Sequence, residues 1–320
     1  MIKQLKNDTN QIPGHKPIAK KPSVMKRLKK DWPYHVLLLP GVILTFIFSY
    51  IPMYGLVMAF QDYNPGLGFF KSPWVGLDNF KLIFSQAQFL NTIYNTLFIS
   101  FLKLVLGTLS SVVFALLLNE IKSNFNKRLF QTIVYVPNFI SWVIMAGILY
   151  NILSTDGIVN IMLKAFNMNP VQFISNPSVF PWTVIISDVW KTFGFGTVVY
   201  LAAITSIDPE LYESAVIDGA GRWKQTLHVT IPTIAPIVVL MTVLALGNIL
   251  NAGFDQVYNL YSPVVYSKGD IIDTFVYRLG LQNGKFTIGT TVGIFKSVIS
   301  CILISLSLLI ANKVANYRVF

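Results

Sequence analysis

The chain has 320 residues, 53% of them hydrophobic, with only 12% charged and a formal net charge of +11. Mean hydropathy is +0.58, and soluble domains carry about twice this charged fraction, so the composition excludes a soluble globular enzyme and describes an integral membrane protein. A nucleic-acid partner is excluded as well, because the positive excess sits mainly in one tail, and the lone Cys301 rules out a disulfide framework or cysteine-based metal site.

That tail comes first in the chain. Residues 1–34 hold nine Lys/Arg between Lys3 and Lys30, along with Pro13, Pro17 and Pro22. They are expected to form a disordered basic segment suited to an anionic membrane face.

Hydropathy then predicts six spans, at roughly 35–60, 90–118, 131–152, 180–206, 232–255 and 286–313. The fold class is therefore all-α and multi-pass, with a transmembrane domain over 35–313 and a short tail over 314–320. The first apolar run is too long for a signal-peptide core and reads as a retained anchor. With a cytoplasmic N-terminus the inner segments carry 16 Lys/Arg and the outer segments 6, falling to 7 against 6 without the tail. Tail charge next to the first span sets the orientation, with both termini and residues 207–232 cytoplasmic. The outer loops contain Asp62-Tyr63-Asn64-Pro65-Gly66 and Ser72-Pro73-Trp74-Val75-Gly76, which predict ordered turns. Trp32, Trp74 and Trp182 lie near span ends as expected for interfacial anchors.

Ionisable and amide groups within spans are costly and face a cavity or a partner. Lys103, Asp188, Lys191, Asp255 and Lys296 fall in or near the spans. Asp188 and Lys191, three apart, are placed to pair with each other. Two polar faces are candidates for the substrate path: Asn138, Ser141 and Trp142 in the third helix, and Asn248, Asn251 and Asp255, at i, i+3 and i+7, on the fifth. For each, packing or interhelical hydrogen bonding is the competing explanation. Lys191 joins the candidates, and Lys103, Lys191 and Lys296 are compatible with an acidic, uronate-bearing oligosaccharide as well as with a neutral one.

Residues 207–232 form a polar island between two apolar runs. Asp208 suits an N-cap, Pro209 the first helical position and Glu210 the first turn, where negative charge complements the helix dipole. Gly219 suits a left-handed C-terminal closure. A second helix is expected from Ala220 to about Val229, carrying Arg222, Trp223, Lys224 and His228, with Pro232 stopping it or opening the next span. An amphipathic interfacial loop is the plainer alternative. The chain has no Gly-x-x-x-x-Gly-Lys-Ser/Thr phosphate loop, no His pair at metal-ligand spacing and no Ser/His/Asp set, so neither an ATPase site, a metal site nor a catalytic residue is expected.

Glu213-Ser214-Ala215, then Gly219, then Val229-Thr230-Ile231-Pro232 resembles, spacing included, the coupling-loop motif of bacterial ABC-importer permeases, Glu-Ala-Ala, three residues, Gly, nine residues, Ile-x-Leu-Pro. Asp218-Gly219-Ala220 matches its usual centre; Ser214, Val229 and Ile231 are the departures. Segments from Tyr50-Ile51-Pro52-Met53-Tyr54-Gly55 to Asp273-Thr274-Phe275-Val276-Tyr277-Arg278 extend the resemblance to the polysaccharide-type, maltose-transporter-related permeases of the carbohydrate-uptake group. The resemblance implies a type I importer permease in the bacterial cytoplasmic membrane. It implies pairing with a second, similar permease and two ATPase subunits that use ATP and Mg, with an extracytoplasmic binding protein delivering sugar. It assigns ATPase coupling to Glu213, Ser214, Ala215, Asp218, Gly219, Ala220, Arg222, Trp223 and Pro232, with no cofactor in this chain. A stand-alone secondary sugar transporter, which leaves residues 207–232 without a purpose, and an ABC permease for a non-sugar solute are the rival readings.

Overall fold

A computed structural model describes the backbone of residues 24–314 and the side chains of 30–310. Six helices among the described residues are long and apolar enough to cross a membrane. The described backbone has no β-strand, only an isolated antiparallel bridge between Gln61 and Trp74. The chain divides into two compact units between Gly55 and Leu56.

The first helix, α1 (Val24–Thr45), starts well before position 35, inside the stretch expected to be disordered; residues 1–23 lie outside the described residues. A π turn at Phe46–Tyr50 and 3-10 turns over Ile51–Phe60 carry it on, and the apolar span covers Lys30–Phe60. The second unit contains the ordered turns expected from Asn, Gly and Pro. The Asp62 N–H donates to the Pro73 carbonyl at 2.9 Å, and the Asn64 side chain accepts from the Gly66 N–H at 2.9 Å. Asn79 closes the loop by donating to the Ala59 and Gln61 carbonyls.

Two long helices form the centre of this unit, α2 (Ala87–Glu120) and α6 (Phe180–Thr205). Glycines on α6 allow close approach, Gly196 to α2 and Gly194 to the helix over Asn124–Phe139. A Cβ on Gly196 would lie 2.6 Å from the Ser111 hydroxyl of α2, and one on Gly194 would lie 2.3 Å from the Val134 carbonyl. Small residues permitting backbone approach are the usual device of membrane helix packing. Ser111 and Thr197 then bridge the pair, donating to the Phe193 and Ser111 carbonyls respectively. Apolar clusters build outward from this pair, one around Ile99, Met145, Phe180 and Val257, another around Ala115, Leu118, Ile204 and Ile234. A third gathers Phe89, Phe275, Leu250 and Val292.

The third and fifth spans differ from expectation. A continuous helix over 131–152 is not formed. Instead α3 (Asn124–Phe139) ends after Pro137, Ile140 is extended, and Ser141 caps α4 (Trp142–Leu153) by accepting from the Ile144 N–H. With α5 (Ile158–Ala165), the span moves to Trp142–Ala165. The fifth span ends at Leu246, nine positions short of 255. The chain turns through 247–253, where Gly253 takes φ +94°, and restarts as α9 (Phe254–Leu260). The last span lies in α10 (Phe286–Val314).

Candidate functional site

The coupling candidate is a built helix–turn–helix. Helix α7 (Pro209–Ile217) is capped by the Asp208 carboxylate, which accepts from the Glu210 N–H at 3.0 Å. Its end is a Schellman motif. The Ala220 N–H donates to the Ala215 carbonyl at 2.9 Å, the Gly219 N–H donates to the Val216 carbonyl at 3.0 Å, and Gly219 takes φ +75°. Glu213, Ser214 and Asp218 are exposed, whereas Ala215 and Ala220 are half-buried. The Tyr212 hydroxyl and Thr230 Oγ1, 2.9 Å apart, tie the first helix to the second.

That second helix, α8, does not stop at Pro232. It runs from Arg222 to Leu246 as one element, with a π turn at Thr226–Thr230 in which the Ile231 N–H donates back to Thr226. Pro232 falls where the π turn gives way to the α-helical stretch that begins at Ile231, and its missing N–H is tolerated at that junction. The second half of the element is therefore the end of a membrane-length helix, and α7 is a separate helix joined to it by the Gly219 turn. Its tip exposes large apolar side chains: Ile217 at 85%, Trp223 at 73% and Val216 at 60%. Of these, sequence reasoning selected only Trp223. The signal available for Val216 and Ile217 was an apolar pair directly before a polar Asp-Gly turn. Arg222 turns toward its own chain, donating to Glu120 Oε2 at 2.6 Å.

The second feature is an intramembrane polar pocket of about 380 Å³, lined by Ser100, Lys103, Asp188, Asn248, Asn251 and Gly253 among others. The break in the fifth span creates it. Lys103 reaches from α2 to that break, donating to the Ala252 carbonyl at 2.7 Å and to Gln256 Oε1, with Asp188 Oδ1 at 3.4 Å. Gln256 in turn donates to the Val184 carbonyl and Ser187 Oγ of α6. The Ser100 hydroxyl is buried at this pocket without a hydrogen-bond partner. Sequence reasoning did not select Ser100; a lone serine in an apolar helix carries no signal of its own.

The predicted substrate residues fall into two groups. Asn248 and Asn251 line the pocket, but from irregular backbone rather than one helical face. Asp255 does not line it; it sits in the first turn of α9, where a carboxylate complements the helix dipole. Asn138, Trp142 and Lys191 do come together, but at the α3–α4 break. Lys191 Nζ donates to the Asn138 carbonyl at 2.9 Å and lies 5.3 Å from the Trp142 ring centre. The expected Asp188–Lys191 pair is not formed, since Asp188 faces Lys103. Lys296 is held by Asn251 and Asp273.

On the far side of the break, Arg278 grips the buried Asp270 with both terminal nitrogens and lies 4.0 Å over the Tyr266 ring. Burial, with the neighbouring Tyr266, pushes the Tyr261 hydroxyl up to about 12.

Six apolar helices among the described residues, an exposed helix–glycine–helix tip and a polar pocket at a helix break describe a multi-pass membrane transport component. The family model for the binding-protein-dependent transport system inner membrane component matches residues 103–317, and the chain belongs to that family. Protein LplB of Bacillus subtilis (strain 168) is 39% identical over 91% of this chain and 92% of its own length. The polygalacturonan/rhamnogalacturonan transport system permease protein YteP of the same organism is 37% identical, over 93% of this chain and 92% of its own. Among solved structures, a bacterial alginate ABC transporter in complex with alginate pentasaccharide-bound periplasmic protein contains a similar chain. It is 40% identical, with a TM-score of 0.84 covering 92% of this chain and 99% of that one.

Proposed function

We propose that this chain is the permease subunit of an ATP-driven importer of oligosaccharides. It pairs with a second six-span permease, receives sugar from an extracytoplasmic binding protein, and is driven by two ATPase subunits docked on residues 207–232. Both termini are cytoplasmic, and ATP and Mg are bound by the partner subunits rather than by this chain. The observation that carries the reading is the exposed apolar tip on a Schellman-closed turn continuous with a span. An exposed patch of large apolar residues marks a partner surface, and a helix running unbroken into the membrane transmits a push as a lever. Glu213, Ser214, Ala215, Asp218, Gly219 and Ala220 shape this tip, and Trp223 supplies its aromatic anchor.

The pocket serves as a sugar subsite. Its amides and the unpartnered Ser100 hydroxyl match the donor–acceptor chemistry of sugar hydroxyls, a few convergent polar groups in an otherwise apolar wall. Lys103, Lys191 and Lys296 are engaged by the chain itself, as is Asn251 Oδ1 by Lys296, so hydrogen bonding to substrate falls to Ser100, Asn248 and the Asn251 amide nitrogen. Asn138 and Trp142 are assigned to the α3–α4 break instead.

The test is affinity purification of the tagged chain in mild detergent, with mass spectrometry of its companions, followed by uptake in proteoliposomes. A second six-span protein and an ATPase are expected, with oligosaccharide uptake that requires ATP. A homodimer that transports sugar without ATP would overturn the reading.

A further inference from the structure

The coupling element and the pocket share one rigid part. Helix α2 ends at Glu120, and Glu120 Oε2 lies 2.6 Å from Arg222 Nη1 at the start of α8. Lys103, which holds the pocket, sits on the same helix 17 positions earlier, about 26 Å away at 1.5 Å per residue. Between these points α2 is an unbroken α-helix packed on α6 through Ser111 and Thr197.

Glu120 is poorly placed for the helix that carries it. A carboxylate in the last turn opposes the helix dipole, and α2 has no basic residue there. Its charge is balanced across the chain by Arg222. Both side chains are substantially exposed, at 67% and 46%, so the pair contributes little to stability. What it does supply is a directional contact between two elements that otherwise meet only through apolar packing.

We propose that the Arg222–Glu120 pair links the coupling element to α2, and that α2 acts as a rod that moves Lys103 and so changes the pocket when the element is displaced. Arg222 is thus a positioning residue that faces its own chain, not an ATPase contact. The inference rests on the coupling role proposed above for residues 207–232.

The test uses the assembled complex with its ATPase and partner permease. Cys301→Ser removes the native thiol, and Leu104→Cys places a reporter on the pocket wall on α2 itself, one position after Lys103. The reporter's reaction with a membrane-impermeant maleimide is followed with and without ATP, Mg²⁺ and vanadate. Wild-type pairing is expected to change the labelling rate by about fivefold or more on nucleotide addition. Arg222→Glu and Glu120→Arg, each placing like charges together, are expected to retain the ATPase on purification and to lose that change. The double reversal, Arg222→Glu with Glu120→Arg, is expected to restore it. Loss of the ATPase from the Arg222→Glu complex would make Arg222 a docking residue and overturn the proposal. So would a double variant no better than the single ones, or single variants that respond as wild type does. A wild-type complex in which nucleotide leaves the rate unchanged would overturn the coupling role itself, and the linkage with it.

Discussion

Lys191 ends its side chain on the backbone carbonyl of Asn138, 2.9 Å away, and not on Asp188 one helical turn earlier. Asn138 lies in the last turn of α3, where carbonyls have no helical partner and the dipole is negative. A buried ammonium is therefore used as a C-terminal cap at the α3–α4 break, with the Trp142 ring beneath it. Replacing Lys191 with Met removes the cap and is expected to destabilise the protein by about 1–2 kcal/mol. A thermal-unfolding series in detergent reads this, and the half-saturating substrate concentration should stay within about twofold. An unchanged midpoint with a tenfold loss of apparent affinity would instead put Lys191 in the substrate path.

Lys103 and Asp188 are mostly buried, at 10% and 22% side-chain exposure. Removing one partner leaves an uncompensated intramembrane charge, so Lys103→Met or Asp188→Asn alone is expected to cost about 3 kcal/mol. The double variant should recover only the part of that loss that comes from the unpaired charge, because the Ala252 carbonyl that Lys103 satisfies stays unmet. Melting temperatures of the four proteins form a double-mutant cycle, and simple additivity in that cycle would show that the two charges do not interact.

Gly219 has open space around it, since an added Cβ would meet nothing within 4 Å, yet its φ of +75° disfavours side chains. Strain rather than collision governs substitution there. Gly219→Asn, which tolerates the left-handed region, is expected to transport nearly as well as wild type. Gly219→Val should lose transport while still inserting, at a conformational cost of about 1–2 kcal/mol. Uptake normalised to membrane-embedded protein separates these outcomes, and full transport by the valine variant would dismiss the turn geometry as a requirement.

Ile217 and Trp223 contribute almost nothing to the packing of this chain, being 85% and 73% exposed. Ile217→Ser and Trp223→Ala are accordingly expected to leave the thermal midpoint unchanged. Each is expected to weaken ATPase binding by about 1–3 kcal/mol, the range of buried apolar anchors at interfaces. Quantitative pull-down of the ATPase at graded concentrations measures this, and undiminished recovery would remove the tip from the docking surface.

The class, the number of spans and the helix–glycine turn at 207–232 were legible in the chain alone. Apolar runs of membrane length are a local property, and so are the N-cap at Asp208 and the turn at Gly219, where side-chain chemistry acts on the adjoining backbone. The rest depended on contacts between helices distant in the chain. The break after Leu246 removed the helical face expected for Asn248, Asn251 and Asp255, and the break at Ile140 split the third span. Neither break is marked by a polar run, because neighbouring helices supply the partners for the freed backbone groups: Lys103 for Ala252 and Lys191 for Asn138. Charge pairing followed the same logic. Residues three apart on one helix looked like partners, but the bilayer makes an unmet backbone carbonyl as demanding as an unmet carboxylate. Which of these a lysine satisfies depends on what the next helix brings within reach.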